Sequence, residues 1–369
     1  MSEQSTPSRS NREAKLGELH ERLTAAVEQL VSGEDWQQAM AFAARFRSRS
    51  FNNTLLIFAQ HQEAYQKGLV GVPSPSYVAG YRQWQQLGRQ VQKGQPGYMI
   101  YAPVTAWFAT SDPSDPGSCR RLDRGEKPRA GEVVRSRMVG AKPAYVWDAA
   151  QTAGEPIPEP SSPQLLKGKA PAGLHTELSR LIRAQGFTVV GAGSAAELGR
   201  ANGITDYTAK QVAVRSDMDP AAQVKTLAHE LGHVMMHGPN QQEARGHRGV
   251  VEVEAESVAL MIGAAHGLDT SEYTIPYVST WAMQVKDQGP VEVVKATGER
   301  VRKTALSVLD GMDTPQVTDG TPPGLERGQP GRNGVARQSA EPKDVQRLGP
   351  EAAAPHREPV VSSVERSGL

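Results

Sequence analysis

Apolar and polar positions change period several times along the chain. Leu16, Leu19, Leu23, Val27 and Leu30 fall three or four apart and predict a first amphipathic helix, with further helices over about 35–47 and 51–66. The run from Val91 to Tyr101 predicts two strands around a tight turn, in which Gly94 and Gly97 either bring backbone close to a phosphate or serve only the turn. Residues 156–171 are Pro-rich and predict a linker. After it, 186–190 and 211–215 predict strands, the second leading through Ser216 to Pro220 into a helix as an edge strand lining a cleft would. Val224, Leu227, Ala228, Leu231 and Met235 form the apolar face of that helix, with Asp219-Pro220 as its start and Gly238-Pro239 as its stop. A second helix runs over Val251 to Ile262. Residues 1–11 and 311–369 carry few large apolar side chains and are expected to be disordered. The pattern predicts an α+β chain of two domains, 12–155 and 172–310.

The helix behind Asp219-Pro220 carries His229-Glu230-Leu231-Gly232-His233. Residues four apart lie one turn above each other, so His229 and His233 can share one Zn²⁺ while Glu230 serves as the base that takes a proton from the attacking water. A catalytic zinc site needs a third protein ligand, and Glu252, Glu254 and Glu256 on the following helix compete for that role. At about 100° per residue, Glu254 falls inside the apolar arc, where an unpaired carboxylate is costly and a metal-bound one is compensated. It is the expected ligand, with Glu252 and Glu256 read as solvated. A metzincin continuation fails, because Met236 and Pro239 stand where its glycine and third histidine belong. His237 and His247 are read as loop histidines or transition-state helpers.

Composition narrows the remaining possibilities. The single cysteine, Cys119, excludes an internal disulfide and suits a reducing cytoplasm. The first residues lack a basic flank and apolar core, and no long apolar stretch exists, so neither secretion by a standard signal nor membrane spanning is expected. A formal net charge of +1 hides an uneven distribution. From Arg45 to Tyr101 seven bases face the single acid Glu63, interleaved with nine aromatic rings. Cations for phosphates and rings for bases are what single-stranded nucleic acid requires. A second basic block, with eight bases against three acids, runs from Ser118 to Lys142.

Two resemblances follow from these motifs. The segment from Leu174 to about Ala264 resembles the zincin-type peptidases of the ImmA/IrrE group, which implies His229, His233 and Glu254 as ligands and Glu230 as base in a gluzincin-like metallopeptidase. The runs Ser50 to Gln60, Gly80 to Gly97 and Tyr145 to Thr152 resemble the single-stranded-DNA-binding domain of ArdC-type antirestriction proteins, in which such a domain precedes a zincin domain. This resemblance covers roughly 12–310 and is weakest over an insertion at about 111–139. It implies a cytoplasmic, zinc-dependent protein that protects incoming plasmid or phage DNA and cuts an unknown protein or peptide substrate. Arg49, Asn53, Arg82, Trp84, Arg89 and Lys93 are the expected DNA contacts. Two other readings remain open: a regulatory protease that cleaves a repressor, and a non-catalytic DNA-binding protein with structural zinc.

Overall fold

The computed structural model describes residues 9–325, except 31, 159–167, 195, 200, 239–247, 269–272, 274, 276–277, 284, 286–287 and 318. Three helices open the chain: α1 (Arg9–Glu28), α2 (Gly33–Arg45) and α3 (Phe51–Gln66). α1 therefore starts inside the segment read as disordered. α2 begins at a reciprocal cap, in which Ser32 accepts from the Asp35 amide and Asp35 accepts from the Ser32 amide at 2.8 Å. Ser50 caps α3 in the same way through the Asn53 amide.

A sheet packs against α3. It contains β1 (Val78–Gly80), β3 (Tyr98–Thr110), β4 (Cys119–Arg121) and β5 (Val133–Asp148), in the antiparallel order β1-β5-β3-β4. β3 and β5 form one long ladder with a bulge between Val104 and Thr105. A short helix, α4 (Tyr81–Gln86), leads into β2 (Arg89–Val91), which pairs with β6 (Thr152–Gly154) in a separate two-stranded sheet. The hairpin expected over Val91 to Tyr101 does not form, because β2 and β3 join different sheets. Gly97 is required where it stands: a Cβ there would lie 2.7 Å from the Trp147 ring.

The second half holds α5 (Leu174–Ala184), β7 (Thr188–Ala192), β8 (Gly203–Asp206), β9 (Gln211–Arg215), α6 (Pro220–Met236), α7 (Arg248–Ala265), α8 (Val278–Ala282) and α9 (Pro290–Asp310). Its sheet runs β7-β9-β8, with β7 parallel and β8 antiparallel to β9. The strand that leads into α6 is thus central, and the edges are β7 and β8, the latter a strand absent from the periodicity reading. α6 starts as its sequence predicts, with the Asp219 carboxylate accepting from the Ala222 amide and Pro220 in the first turn.

The two halves share one apolar core. Leu19 and Leu23 of α1, Trp36 and Met40 of α2 and Phe51 of α3 belong to the same buried cluster as Leu227, Leu231, Val258 and Val301 from the second half. Trp36 packs edge-on against Trp281 at 5.3 Å and donates its indole N–H to Ser257 Oγ of α7 at 2.8 Å. α9 comes so close to α3 that a Cβ on Gly298 would lie 2.2 Å from the Phe51 ring. The described residues accordingly fall in one compact unit.

The start of the expected disordered tail needs correction. Residues 311–325 are held: Met312 is buried, the Val317 amide donates to Ala265 O, Arg47 donates to Val317 O, and the Val78 amide donates to Gly320 O. Leu325 packs against the cluster of Tyr77, Ala79 and Trp84. Polar composition hid this, because the segment is anchored mainly through backbone groups to both halves. Residues 326–369 lie outside the described residues.

Candidate metal centre

α6 and α7 cross at Gly232, where a Cβ would lie 3.0 Å from Ala255 Cα. The glycine inside the His-Glu-x-x-His run therefore permits close approach of α7, and the glutamates around Ala255 face the histidines of α6. The His229 and His233 Nε2 atoms lie 3.0 Å apart, and Glu252 Oε2 lies 3.6 Å from the first and 3.7 Å from the second. These three residues form the one group of potential metal-ligating side chains among the described residues. A point about 2.0 Å from all three atoms lies at the centre of that triangle, which fits the ~2.0–2.2 Å bonds that imidazole nitrogen and carboxylate oxygen make to zinc. The donor set suits a divalent ion.

Glu254, the expected third ligand, is not part of this triangle. It is buried as predicted, yet its Oε1 accepts from Arg300 Nε at 2.8 Å and from the Arg300 terminal nitrogen, and its Oε2 pairs with His237 Nε2 at 3.1 Å. The argument that a buried carboxylate needs a partner holds, but the partner comes from α9. Glu252, at the border of the apolar arc, turns instead toward the histidines. Glu252 is exposed as expected, but Glu256 is not solvated, since its Oε2 lies 3.0 Å from His229 Nδ1 and its Oε1 lies 3.4 Å from Lys225.

Both histidines are thereby fixed through their second nitrogen. With Nε2 of each aimed at the shared centre, His229 donates Nδ1–H to Glu256, and His233 donates Nδ1–H to His237 Nδ1 at 3.1 Å. His237 then donates Nε2–H to Glu254, so a buried chain runs His233, His237, Glu254, Arg300. Burial alone would pull the His229 pKa down, but hydrogen bonding to Glu252 and Glu256 lifts it to about 10. The same bonds from His229 and His233 hold Glu252 well below the usual carboxylate range.

Glu230 is 5% exposed and accepts from Thr205 Oγ1 through Oε2 at 2.7 Å. Thr205 sits on β8, which passes so close that a Cβ on Gly203 would lie 2.7 Å from Glu230 Oε1. Tyr207, just beyond β8, donates to His233 O at 2.9 Å, and its pKa is pushed up to about 12 by burial. Thr205, Tyr207 and Arg300 had no signal in the sequence. His247 lies outside the described residues.

The expected DNA contacts fare unevenly. Trp84 is fully buried and donates its indole N–H to Trp147 O, so its ring is closed to a base. Asn53 spends both ends of its amide on the Tyr101 backbone, at 2.8 and 2.9 Å. Arg49 donates to Val78 O, and Arg89 donates to Thr152 and to Glu155 O. In this structure these four side chains make hydrogen bonds within the domain. Arg82 and Lys93 remain exposed.

Residues 15–147 match the N-terminal domain of anti-restriction factor ArdC, and residues 183–278 match the IrrE N-terminal-like domain. An uncharacterized protein of Bacillus anthracis is 23% identical over 317 residues, covering 79% of this chain. The chain spans 50% of that relative's length. Two crystal structures of the antirestriction ArdC protein from the R388 plasmid, one metal-free and one Mn(II)-bound, are 20% identical, with TM-scores of 0.43 and 0.41. Each covers 71% of this chain, which in turn covers 84% and 88% of theirs.

Proposed function

We propose that this chain, which matches an ArdC N-terminal domain followed by an IrrE-like domain, is a single-stranded-DNA-binding metallopeptidase of antirestriction type. It would act in the cytoplasm on DNA entering the cell and on a protein or peptide substrate. The observation that carries the hydrolytic part is the triangle of His229, His233 and Glu252 with Glu230 beside it. Two histidines and one carboxylate favour zinc, and Mn(II) is the ion recorded in a relative. When bound, the ion supplies Lewis acidity, which polarises a carbonyl and makes water easier to deprotonate.

The protein's own residues would do the rest. Glu230 takes a proton from water as it attacks the peptide carbonyl and returns it to the leaving amine. Thr205, by donating to Oε2, fixes one carboxylate oxygen and leaves the other for that transfer. Among the described residues β8 has a strand neighbour only on its β9 side, so its other edge can pair with the backbone of an extended peptide alongside Glu230. Glu256, His237 and Glu254 orient the two histidine rings. The DNA-binding part rests on the family match and on the exposed basic residues of the N-terminal half, Arg82 and Lys93 among them. No helix of the described residues is long and apolar enough to cross a membrane.

Comparing the proteome of a host expressing wild type with one expressing Glu230→Gln tests the hydrolytic part. Cleavage products present only with wild type are expected, and identical proteomes would leave a DNA-binding protein with a structural metal. Binding of the full chain to single-stranded DNA tests the other part, and its absence at low salt would favour the regulatory protease.

A further inference from the structure

The outer half of the β3–β5 ladder lies where the resemblance to ArdC proteins is weakest, and it presents two unlike faces. Residues opposite one another in an antiparallel pair project to the same side, and successive residues alternate. Phe108 pairs with Arg121 on β4 and with Arg135 on β5, so these three share one face, joined by Arg137 two residues along. Arg121, Arg135 and Arg137 are all exposed, and Arg137 lies 5.7 Å over the Phe108 ring. The other face carries Trp107 opposite Ser136, and Met138 opposite Thr105, with Trp107 60% and Met138 72% exposed.

The charge of the first face is not cancelled locally. Two of the three acids in the basic block, Glu126 and Glu132, are taken up by one residue, Arg120, which points to the opposite side through its pairing with Ala109. No ion pair reaches Arg121, Arg135 or Arg137 among the described residues. Three guanidiniums in register on a projecting ladder, with no carboxylate to neutralise them, fit a run of phosphates. Trp107, exposed on the opposite face of the ladder, fits an unstacked base of a strand that passes round the arm. A duplex offers phosphates but keeps its bases stacked, and an apolar protein partner would use Trp107 and Met138 while leaving the arginines unpaired.

We propose that this arm is a single-stranded-DNA-binding element round which a flexible strand passes, with Arg121, Arg135 and Arg137 on phosphates along one face and Trp107 stacked on a base at the opposite face. The proposal rests on the DNA-binding reading above and locates it on residues that do not belong to the metal centre.

The test uses the full chain and a single-stranded thymidine oligomer of about 20 nucleotides, with affinity measured by fluorescence anisotropy across a salt series. Changing Arg121, Arg135 and Arg137 together to Gln should weaken binding and flatten the slope of log K against log salt by about 2, since each phosphate contact on a single strand contributes about 0.7. Trp107→Ala should weaken binding about tenfold with the slope unchanged, because stacking releases no counterions. Thermal melting should be unaltered in both, as all four side chains are exposed. A triple variant with wild-type slope and affinity would overturn the arm while leaving DNA binding elsewhere on the chain. Duplex competing as well as single strand would overturn the single-strand assignment. Loss with Trp107→Ala but not with the triple variant would place the DNA on the Trp107 face alone and overturn the assignment of the three arginines to phosphates. No binding by wild type would remove this proposal and the DNA-binding reading together.

Discussion

The crossing of α6 and α7 and the outer β3–β5 arm are both rich in charge, and they treat it in opposite ways. At the helix crossing, Glu254 pairs with Arg300 and His237, Glu256 with His229 and Lys225, and Glu230 with Thr205, most of them buried. On the arm, Arg121, Arg135 and Arg137 stand in solvent without a carboxylate. Charges in a low-dielectric pocket must be paired because desolvation is costly, and pairing fixes their geometry. Charges in solvent cost little to leave unpaired and stay available to a polyanion. The first arrangement suits a site that must hold atoms within tenths of an ångström, and the second suits a surface that tracks a flexible chain. The helix crossing should therefore respond sharply to single substitutions and weakly to salt, and the arm should do the reverse.

The largest expected effect breaks the helix crossing at its base. Glu230→Gln should reduce peptide hydrolysis by about 10²- to 10⁴-fold while metal content, measured by elemental analysis, stays at the wild-type level. Next comes Glu252→Ala, which leaves two histidines where three donors stood. Metal should be lost on dialysis, whereas Glu254→Gln and Glu256→Gln should retain a site weakened about 10- to 100-fold, as measured by competition with a chelating dye. Full metal retention by Glu252→Ala with complete loss in Glu254→Gln would restore Glu254 as the ligand.

A third prediction concerns what joins the two regions. Truncation after Asp310 removes the contacts of Met312, Val317, Gly320 and Leu325 and should lower Tm by several degrees, at about 2–4 °C per kcal/mol lost. Truncation after Leu325 keeps those contacts and serves as the control. The smallest effect is a proton count. His229 is held protonated up to about pH 10 in the metal-free protein, and a bound metal requires neutral imidazole, so uptake at pH 7.5 should release about one proton. Calorimetry in buffers of different ionisation enthalpy measures it, and the metal affinity should fall as pH is lowered. Zero release would mean that His229 is already neutral beside Glu252 and Glu256.

Local chemistry was legible along the chain. Asp219-Pro220 starts α6 as its sequence predicts, because the Asp219 carboxylate satisfies the Ala222 amide. Ser32 and Ser50 cap α2 and α3 by the same kind of local bond, which the apolar periodicity did not single out. The His-Glu-x-x-His spacing fixes His229 and His233 on one side of α6 because a helix repeats every 3.6 residues, whatever surrounds it. Helical phase also located Glu254 correctly as buried. Its partner was not legible, because Arg300 is contributed 46 residues away and periodicity carries no information about which helix packs alongside. Which of Glu252, Glu254 and Glu256 lies beside both histidines depends on how α7 packs against α6 at Gly232.

The same division runs through the N-terminal half. Composition registered an excess of bases and rings, but charge counts do not distinguish an arginine bound to carbonyls from one facing solvent. Arg49 and Arg89 are of the first kind, Arg121, Arg135 and Arg137 of the second, and Trp84 is core while Trp107 is bare. The sequence by itself determined what depends on neighbours within about one helical turn: caps, the histidine pair, the alternation of the strands, the order of the two domains. Only the tertiary structure decided which glutamate joins the histidines, which strands are the edges, and which cations remain free, because each depends on a contact between segments far apart in the chain.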